Sequence, residues 1–175
     1  PLVSGNDFLK NFGTAEDFLD LEDNISRWEV PIDLMQVGED QISAAICSVG
    51  LDAAVAYGIP KYRRIPFCGG KMAYNISIVE NICKPMGHRM TVSVDGKNYT
   101  GNFLLAAVAN GTTYGGGFRA APRSRMDDGL LDVLLVNKVS RFKVASVIAK
   151  YQAGRHFSGE EIIPELRQVI TFVRG

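Results

Sequence analysis

Long apolar runs are missing from this 175-residue chain, and the longest, such as residues 103–109, fall far short of the ~20 residues a membrane-spanning helix needs. A domain in the aqueous phase is expected. Charge of one sign is missing too: 19 Lys and Arg balance 19 Asp and Glu, which leaves no chain-wide basic field for nucleic acid. Any phosphate binding must be local. Cysteine is scarce, and Cys47, Cys68 and Cys83 are widely spaced and odd in number, which excludes a disulfide framework and a zinc pattern and points to a reducing compartment. Cys47 and Cys83 sit in apolar patterns and are expected to be buried; Cys68, beside Gly69-Gly70, is expected to be exposed. The two histidines, His88 and His156, are too far apart to suggest a metal pair, and neither has a Cys or carboxylate at ligand spacing. Asn-x-Ser/Thr triplets at Asn24, Asn75, Asn98 and Asn110 matter only in a secreted protein and are read as chance.

What is present is a composition of 46% apolar and 22% charged residues, which excludes a disordered chain. A chain of this length buries roughly 70% of its unfolded surface, so a packed core is expected. Asn6 or Asp7 can cap a short helix carrying Phe8, Leu9 and Phe12, and Phe18, Leu21, Ile25 and Trp28 recur at helical steps until Pro31. The period then changes to two. Val30, Ile32 and Leu34, then Ile42, Ala44 and Ile46, predict strands around the turn-prone Gly38-Glu39-Asp40.

Met72, Ile76, Val79 and Cys83, spaced four, three and four, predict a helix with that row as its apolar stripe, ended by Pro85 and Gly87. Met90, Val92 and Val94 lead into Asp95-Gly96, whose positive-φ tolerance predicts a tight hairpin returning through Tyr99 to Val108. A strand over 130–136, a helix capped by Ser140 and closed by Gly154, and a last strand over 168–173 complete the pattern. The fold class is therefore α+β, a mostly antiparallel β-rich domain with a few packed helices. The composition shift near Pro31 makes residues 1–29 the expected tail of a preceding domain and 30–175 the β-rich one, incomplete at its C-terminus.

Four segments carry chemistry-bearing residues. Gly115-Gly116-Gly117, within the stretch from Asn110 to Pro122, implies positive φ or a close approach to backbone; a mobile hairpin loop is the alternative. Asp127-Asp128-Gly129 offers carboxylates and carbonyls that suit a hard cation such as Mg²⁺, or forms a plain Asp-Gly turn. Ser4-Gly5-Asn6-Asp7 at a helix start can hold an anionic group or serve as an ordinary cap. Lys61, Arg63 and Arg64, read as a loop between Gly58 and Pro66, can meet phosphate or an acidic membrane surface, or be solvated.

In order, these segments resemble the diacylglycerol kinase catalytic family, the bacterial-type soluble lipid kinases related to sphingosine kinases and, more remotely, NAD kinases. The anchors are Pro1 to Asp7, similar to the family's Pro-x-Gly-Thr/Ser-x-Asn-Asp loop, then Val49-Gly50-Leu51-Asp52, and the series from Asn110 through Gly115-Gly116-Gly117 and Ala121-Pro122 to Asp128-Gly129-Leu130-Leu131-Asp132. The resemblance implies an ATP-dependent kinase of a lipid hydroxyl, cytoplasmic and peripheral to the membrane, of which this chain is the C-terminal part. It implies nucleotide phosphates beside Ser4, Gly5, Asn6 and Asp7, and Mg²⁺ held by Asp128 with the carbonyls of Arg125 and Leu130. A diacylglycerol-like lipid is the implied substrate, and a homodimer is allowed. Val3 stands where the family has Gly, which argues against tight ATP binding. The family's Gly-Gly-Asp-Gly-Thr and Asp-Gly-Glu motifs do not occur here, so the catalytic residues are expected elsewhere and the fragment is expected to be inactive alone. Two other functions compete: a kinase of a soluble substrate, NAD kinase-like, and a non-catalytic lipid-binding or regulatory module.

Overall fold

The structure, a computed structural model, describes residues 7–26, 29–66, 68–158 and 161–175. Two 3-10 turns (Leu9–Asn11 and Glu16–Phe18) precede α1 (Leu21–Ser26), β1 (Met35–Val37), β2 (Gln41–Ser43) and β3 (Ile46–Gly50). Then come α2 (Leu51–Arg63), α3 (Gly70–Cys83), β4 (His88–Val94), β5 (Lys97–Ala109), β6 (Asp132–Asn137) and α4 (Arg141–Gln152). β7 (Phe157–Ser158), β8 (Glu161–Ile162), a 3-10 turn (Pro164–Leu166) and β9 (Ile170–Arg174) close the chain. The class is α+β, as the pattern predicts.

The sheet grows from the Asp95-Gly96 hairpin, where φ is 48° and 77°, the double positive that this turn needs. β5 is its spine, in an antiparallel sheet ordered β3-β5-β6-β9 with β4 also on β5. Phe103 pairs with both His88 and Asn137, so β4 lies on the edge of β5 opposite β6, end to end with β3. The register with β6 shifts between Phe103 and Leu105. Around that bulge Phe103, Ala106, Val133 and Leu135 pack on one face, and Leu105, Ala107, Leu134 and Val136 on the other. The second face holds the main core, against Tyr74, Ile78 and Ile82 of α3 and Val144, Ile148 and Tyr151 of α4. Ser140 caps α4 by accepting a hydrogen bond from the Lys143 N–H, and Gly154 closes it at φ 69°.

Several expectations are corrected. Phe8 to Gly13 makes a single 3-10 turn with the Phe8 and Phe12 rings 5.4 Å apart, tilted at 57° and exposed, because little core lies near to reward a full helix. Residues 29–34 are not strand; pairing starts at Met35. Ile42 to Ile46 is two strands, since the carbonyls of Ala44 and Ala45 are taken by Asn110 and Gly111. Lys61 and Arg63 lie in the last turn of α2, not a loop, with Pro60 accommodated inside the helix.

α3 forms, but Met72, Ile76, Val79 and Cys83 face outward. Ala73 and Ser77 instead face α2, with the Ser77 hydroxyl donating to the Val55 carbonyl at 2.7 Å. The cysteines reverse accordingly: Cys68 is buried under Tyr62 and Ala73, Cys83 is exposed and Cys47 half-buried. His88 is exposed, and His156 is wholly buried with Nε2 on the Ala120 carbonyl at 2.8 Å. Asn110 is wholly buried, which removes it as a glycan acceptor.

Candidate functional site

Local folding first brings Asp52 to one place. β3 runs directly into α2 through Gly50, whose φ is 116°. A Cβ there would meet the Leu104 carbonyl oxygen at 2.5 Å and the Leu105 Cα at 2.8 Å, so only glycine lets the chain turn from β3 into α2 this close to β5. Two residues later Asp52 enters the first turn of α2, where its Oδ1 accepts the Ala53 N–H at 2.8 Å and the helix dipole favours its charge. Its Oδ2 accepts the Tyr114 hydroxyl at 2.8 Å.

The triple glycine is a tight reversal between Tyr114 and Phe118. Their backbones exchange hydrogen bonds at 2.9 and 2.8 Å, and φ is positive at all three glycines, 60°, 84° and 113°. Close approach accompanies it: a Cβ on Gly115 would lie 3.0 Å from the Tyr74 hydroxyl. The early segment 7–11 folds onto the same loop. Asp7 accepts the Gly116 N–H at 2.6 Å and pairs with Lys10 at 2.6 Å, while Asn11 Oδ1 accepts the Thr112 N–H at 2.8 Å and its hydroxyl at 3.0 Å. Asp7 and the glycine loop, far apart in sequence, therefore share one surface. Ser4, Gly5 and Asn6, the rest of the expected phosphate set, and Val3 lie outside the described residues.

Beneath this surface is an apolar cavity of about 80 Å³ between the sheet and helices α2, α3 and α4. Val55, Ile78, Leu105, Val136, Val147 and Ile148 are among its walls, and Asp52, Tyr74, Tyr114 and Tyr151 line it as well. Burial raises the Tyr74 hydroxyl to about 12, helped by the negative charges of Asp52 and Asp7. Burial first, then Tyr151 and Asp52, holds the Tyr114 hydroxyl well above its ordinary value, and burial also raises Tyr151. All three stay protonated donors at neutral pH. The arrangement can seat an apolar chain and offer a hydroxyl at its end a carboxylate acceptor.

The aspartates after Met126 form a different arrangement. Arg125 pairs with Asp127 at 3.2 Å, and Asp128 accepts the Leu130 N–H at 3.1 Å and pairs with Arg174. Asp33 accepts the Gly129 N–H at 2.7 Å, and Asp132, whose pKa burial raises, accepts the Ser124 hydroxyl. Among the described residues no three His, Cys, Asp or Glu side chains converge as a metal site. Asp128 and nearby carbonyls are hard oxygen donors, yet that carboxylate is already balanced by a guanidinium, so these residues do not fit Mg²⁺ without displacing Arg174. Among the described residues no helix is long and apolar enough to cross a membrane.

The sequence alone points to the glycine loop and to Asp7; it marks Asp52 only as the end of the Val49–Asp52 anchor, with no role, and gives none to Tyr74, Tyr114, Asn11 or Lys10. Tyr114 adjoins the glycines, and Tyr74 sits in a helix whose inward row was misassigned. A second apolar row at Tyr74, Ile78 and Ile82, again spaced by four, was the available signal.

Residues 45–169 match the family described as the YegS C-terminal NAD kinase beta sandwich-like domain. The chain is 26% identical over 165 residues to a protein named diacylglycerol kinase from Bacillus subtilis (strain 168), covering 93% of this chain and 54% of that protein. It is 29% identical over 161 residues to a probable lipid kinase YegS-like from Shewanella frigidimarina (strain NCIMB 400), covering 89% and 50%. The crystal structure of a diacylglycerol kinase from Bacillus anthracis str. Sterne shares the fold at a TM-score of 0.65 and 20% identity, over 98% of this chain and 52% of that one. The chain thus spans about half the length of the curated relatives it matches.

Proposed function

This chain belongs to the YegS C-terminal NAD kinase beta sandwich-like domain family, and from that premise we propose that the intact protein is a lipid kinase, moving the γ-phosphate of ATP onto the hydroxyl of a diacylglycerol-like lipid. The observation that carries this reading is the apolar cavity with Asp52 as the one carboxylate among its lining residues. Acyl chains are driven into such a space by the removal of apolar surface from water. A soluble nucleotide gains nothing there. Asp52 then accepts the hydrogen bond of the acceptor hydroxyl and fixes its direction, while Tyr114 fixes Asp52. The cavity is smaller than the ~300–1,000 Å³ of typical small-molecule sites, so complete tails require the covering helices to part.

The phosphate side of the reaction falls to the surface that Asp7 and the glycine loop share. Ser4, Gly5, Asn6 and Asp7 are the residues proposed to meet ATP, and the Gly116 N–H held by Asp7 is a donor that a phosphate oxygen can take instead. A Mg²⁺ on Asp128 and the carbonyls of Arg125 and Leu130 must first displace Arg174, so no step is assigned to it. The reaction is placed at the cytoplasmic membrane surface, where such lipids reside.

The test offers the purified full-length protein labelled ATP with diacylglycerol or NAD. Label on the lipid is expected, with Asp52→Asn lowering kcat/KM for lipid by on the order of 10²-fold. Label on NAD instead sinks the lipid reading, and label on neither favours a non-catalytic lipid-binding module. The 175-residue chain by itself is expected to transfer none.

A further inference from the structure

α3 is apolar on more sides than its packing uses. Tyr74, Ile78 and Ile82 pack on the sheet, and Ala73 and Ser77 pack toward α2. Met72, Ile76 and Val79 form a separate row that remains 49%, 38% and 62% exposed, and exposed Cys83 extends it. At steps of four, three and four these residues lie along one line of the helix surface. Ile65, half exposed, adds to the apolar surface in the connection from α2.

The segment that carries this row has one prevailing sign of charge. From residue 51 to 84 the chain carries Lys61, Arg63, Arg64, Lys71 and Lys84 against Asp52 and Glu80, an excess of three positive charges in a chain whose formal net charge is zero. Asp52 is turned to Tyr114 and the cavity. Glu80, next to Val79, is held by Lys61 at 3.1 Å and Lys84 at 2.9 Å and accepts the Tyr62 hydroxyl, so both lysines stand at the edge of the row. An apolar row edged by basic residues complements an anionic bilayer, with side chains entering the acyl boundary and lysines meeting the headgroups. The same helix lines the lipid cavity from within through Tyr74 and Ile78.

We propose that the outer row of α3, Met72, Ile76, Val79 and Cys83, edged by Lys61 and Lys84 and carried on a basic segment, is the face by which the protein docks on an anionic phospholipid surface. Docking there rests on the lipid-kinase reading and gives it a direction: the substrate leaves the bilayer beside the helix that covers its cavity.

The experiment uses the full-length protein with vesicles of phosphatidylcholine alone or with phosphatidylglycerol, and measures binding separately from turnover of a short-chain diacylglycerol dissolved in water. Ile76→Asp with Val79→Asp is expected to weaken binding to the anionic vesicles at least about tenfold, with thermal midpoint and turnover of the dissolved substrate unchanged. Arg64→Glu is expected to flatten the salt dependence of binding. Ile76→Trp, a milder change, is expected to give emission that shifts to the blue with anionic vesicles. Equal vesicle binding by wild type and the double variant, or no spectral shift, overturns the docking face and leaves the kinase reading standing if the dissolved lipid is phosphorylated. A change of oligomeric state in the double variant also overturns it, because the row is then an interface between protein surfaces. Vesicle binding through this row without phosphorylation of any diacylglycerol overturns the kinase reading alone.

Discussion

Helices α3 and α4 lie against the same face of the sheet and line the same cavity, yet they treat water in opposite ways. α4 buries Val144 and Tyr151 and shows mainly polar residues outward, including Arg141, Lys143, Ser146 and Lys150, with Phe142 as an exception. α3 fills its share of the core and still turns an unbroken apolar row outward. Core packing therefore explains α4 almost completely and α3 only in part. What folding leaves unexplained on α3 is where a second use of the sequence is to be sought.

The sharpest way to break this contrast is to truncate one residue from each outlook. Tyr151→Ala, which removes a buried ring between Phe118 and His156, is expected to cost about 3–5 kcal/mol in urea unfolding. Ile76→Ser on the outer row is expected to stay within about 0.5 kcal/mol; equal losses would mean that the outer row is packed after all. Next in size is Ser77→Leu. Its neighbour Gly58 leaves room for little more than a hydroxyl, since even a Cβ there would meet the Ser77 oxygen at 2.5 Å, so overpacking is expected to cost about 1–3 kcal/mol. A neutral result would show that α2 and α3 part easily.

The smallest effects are in pH, and they separate the two helices by window. Burial lowers the pKa of His156, behind α4, below its ordinary 6.5. The unfolded chain then takes up a proton more readily, so stability is complete above about pH 6.5 and is lost as pH falls toward the lowered folded value. Glu80, which ties α2 to α3, is lowered to about 2 by the Tyr62 hydroxyl and then by Lys84 and Lys61. Its contribution is complete above about 4.5 and is lost only as pH falls toward 2. Urea midpoints of His156→Phe and Glu80→Gln, measured from pH 7 to 3, should therefore diverge from wild type in different ranges. A single common range would contradict this assignment.

The elements that the sequence announces most clearly are those whose signals are local. Asp95-Gly96 requires its turn, Ser140 its cap and Gly154 its stop, and each appears where its chemistry demands. α2 was hidden because small Ala residues, Gly58 and Pro60 dilute its period. The pattern therefore reads as loop at Lys61 and Arg63, where the chain is helical. The face of α3 is hidden for another reason: two apolar rows compete on one helix, and period alone cannot rank them when the packing is set by Ser77, between them, fitting against Gly58.

At the site, the glycine triplet is legible because a backbone with φ positive at all three positions favours glycine. The contacts of Tyr114 with Asp52 and of Asp7 with Gly116 are not, because they are created only when segments 62 and 109 residues apart come together.

The length of β5 has a mechanical consequence. Gly50, from which Asp52 departs, is paired with Leu105, and the glycine loop departs from Ala109 four residues further along the same strand. Asp52 and the glycine turn are thus mounted on one rail, and a slip of that rail carries both. Their spacing is inherited from strand register, so the helices above can change without shifting the one against the other.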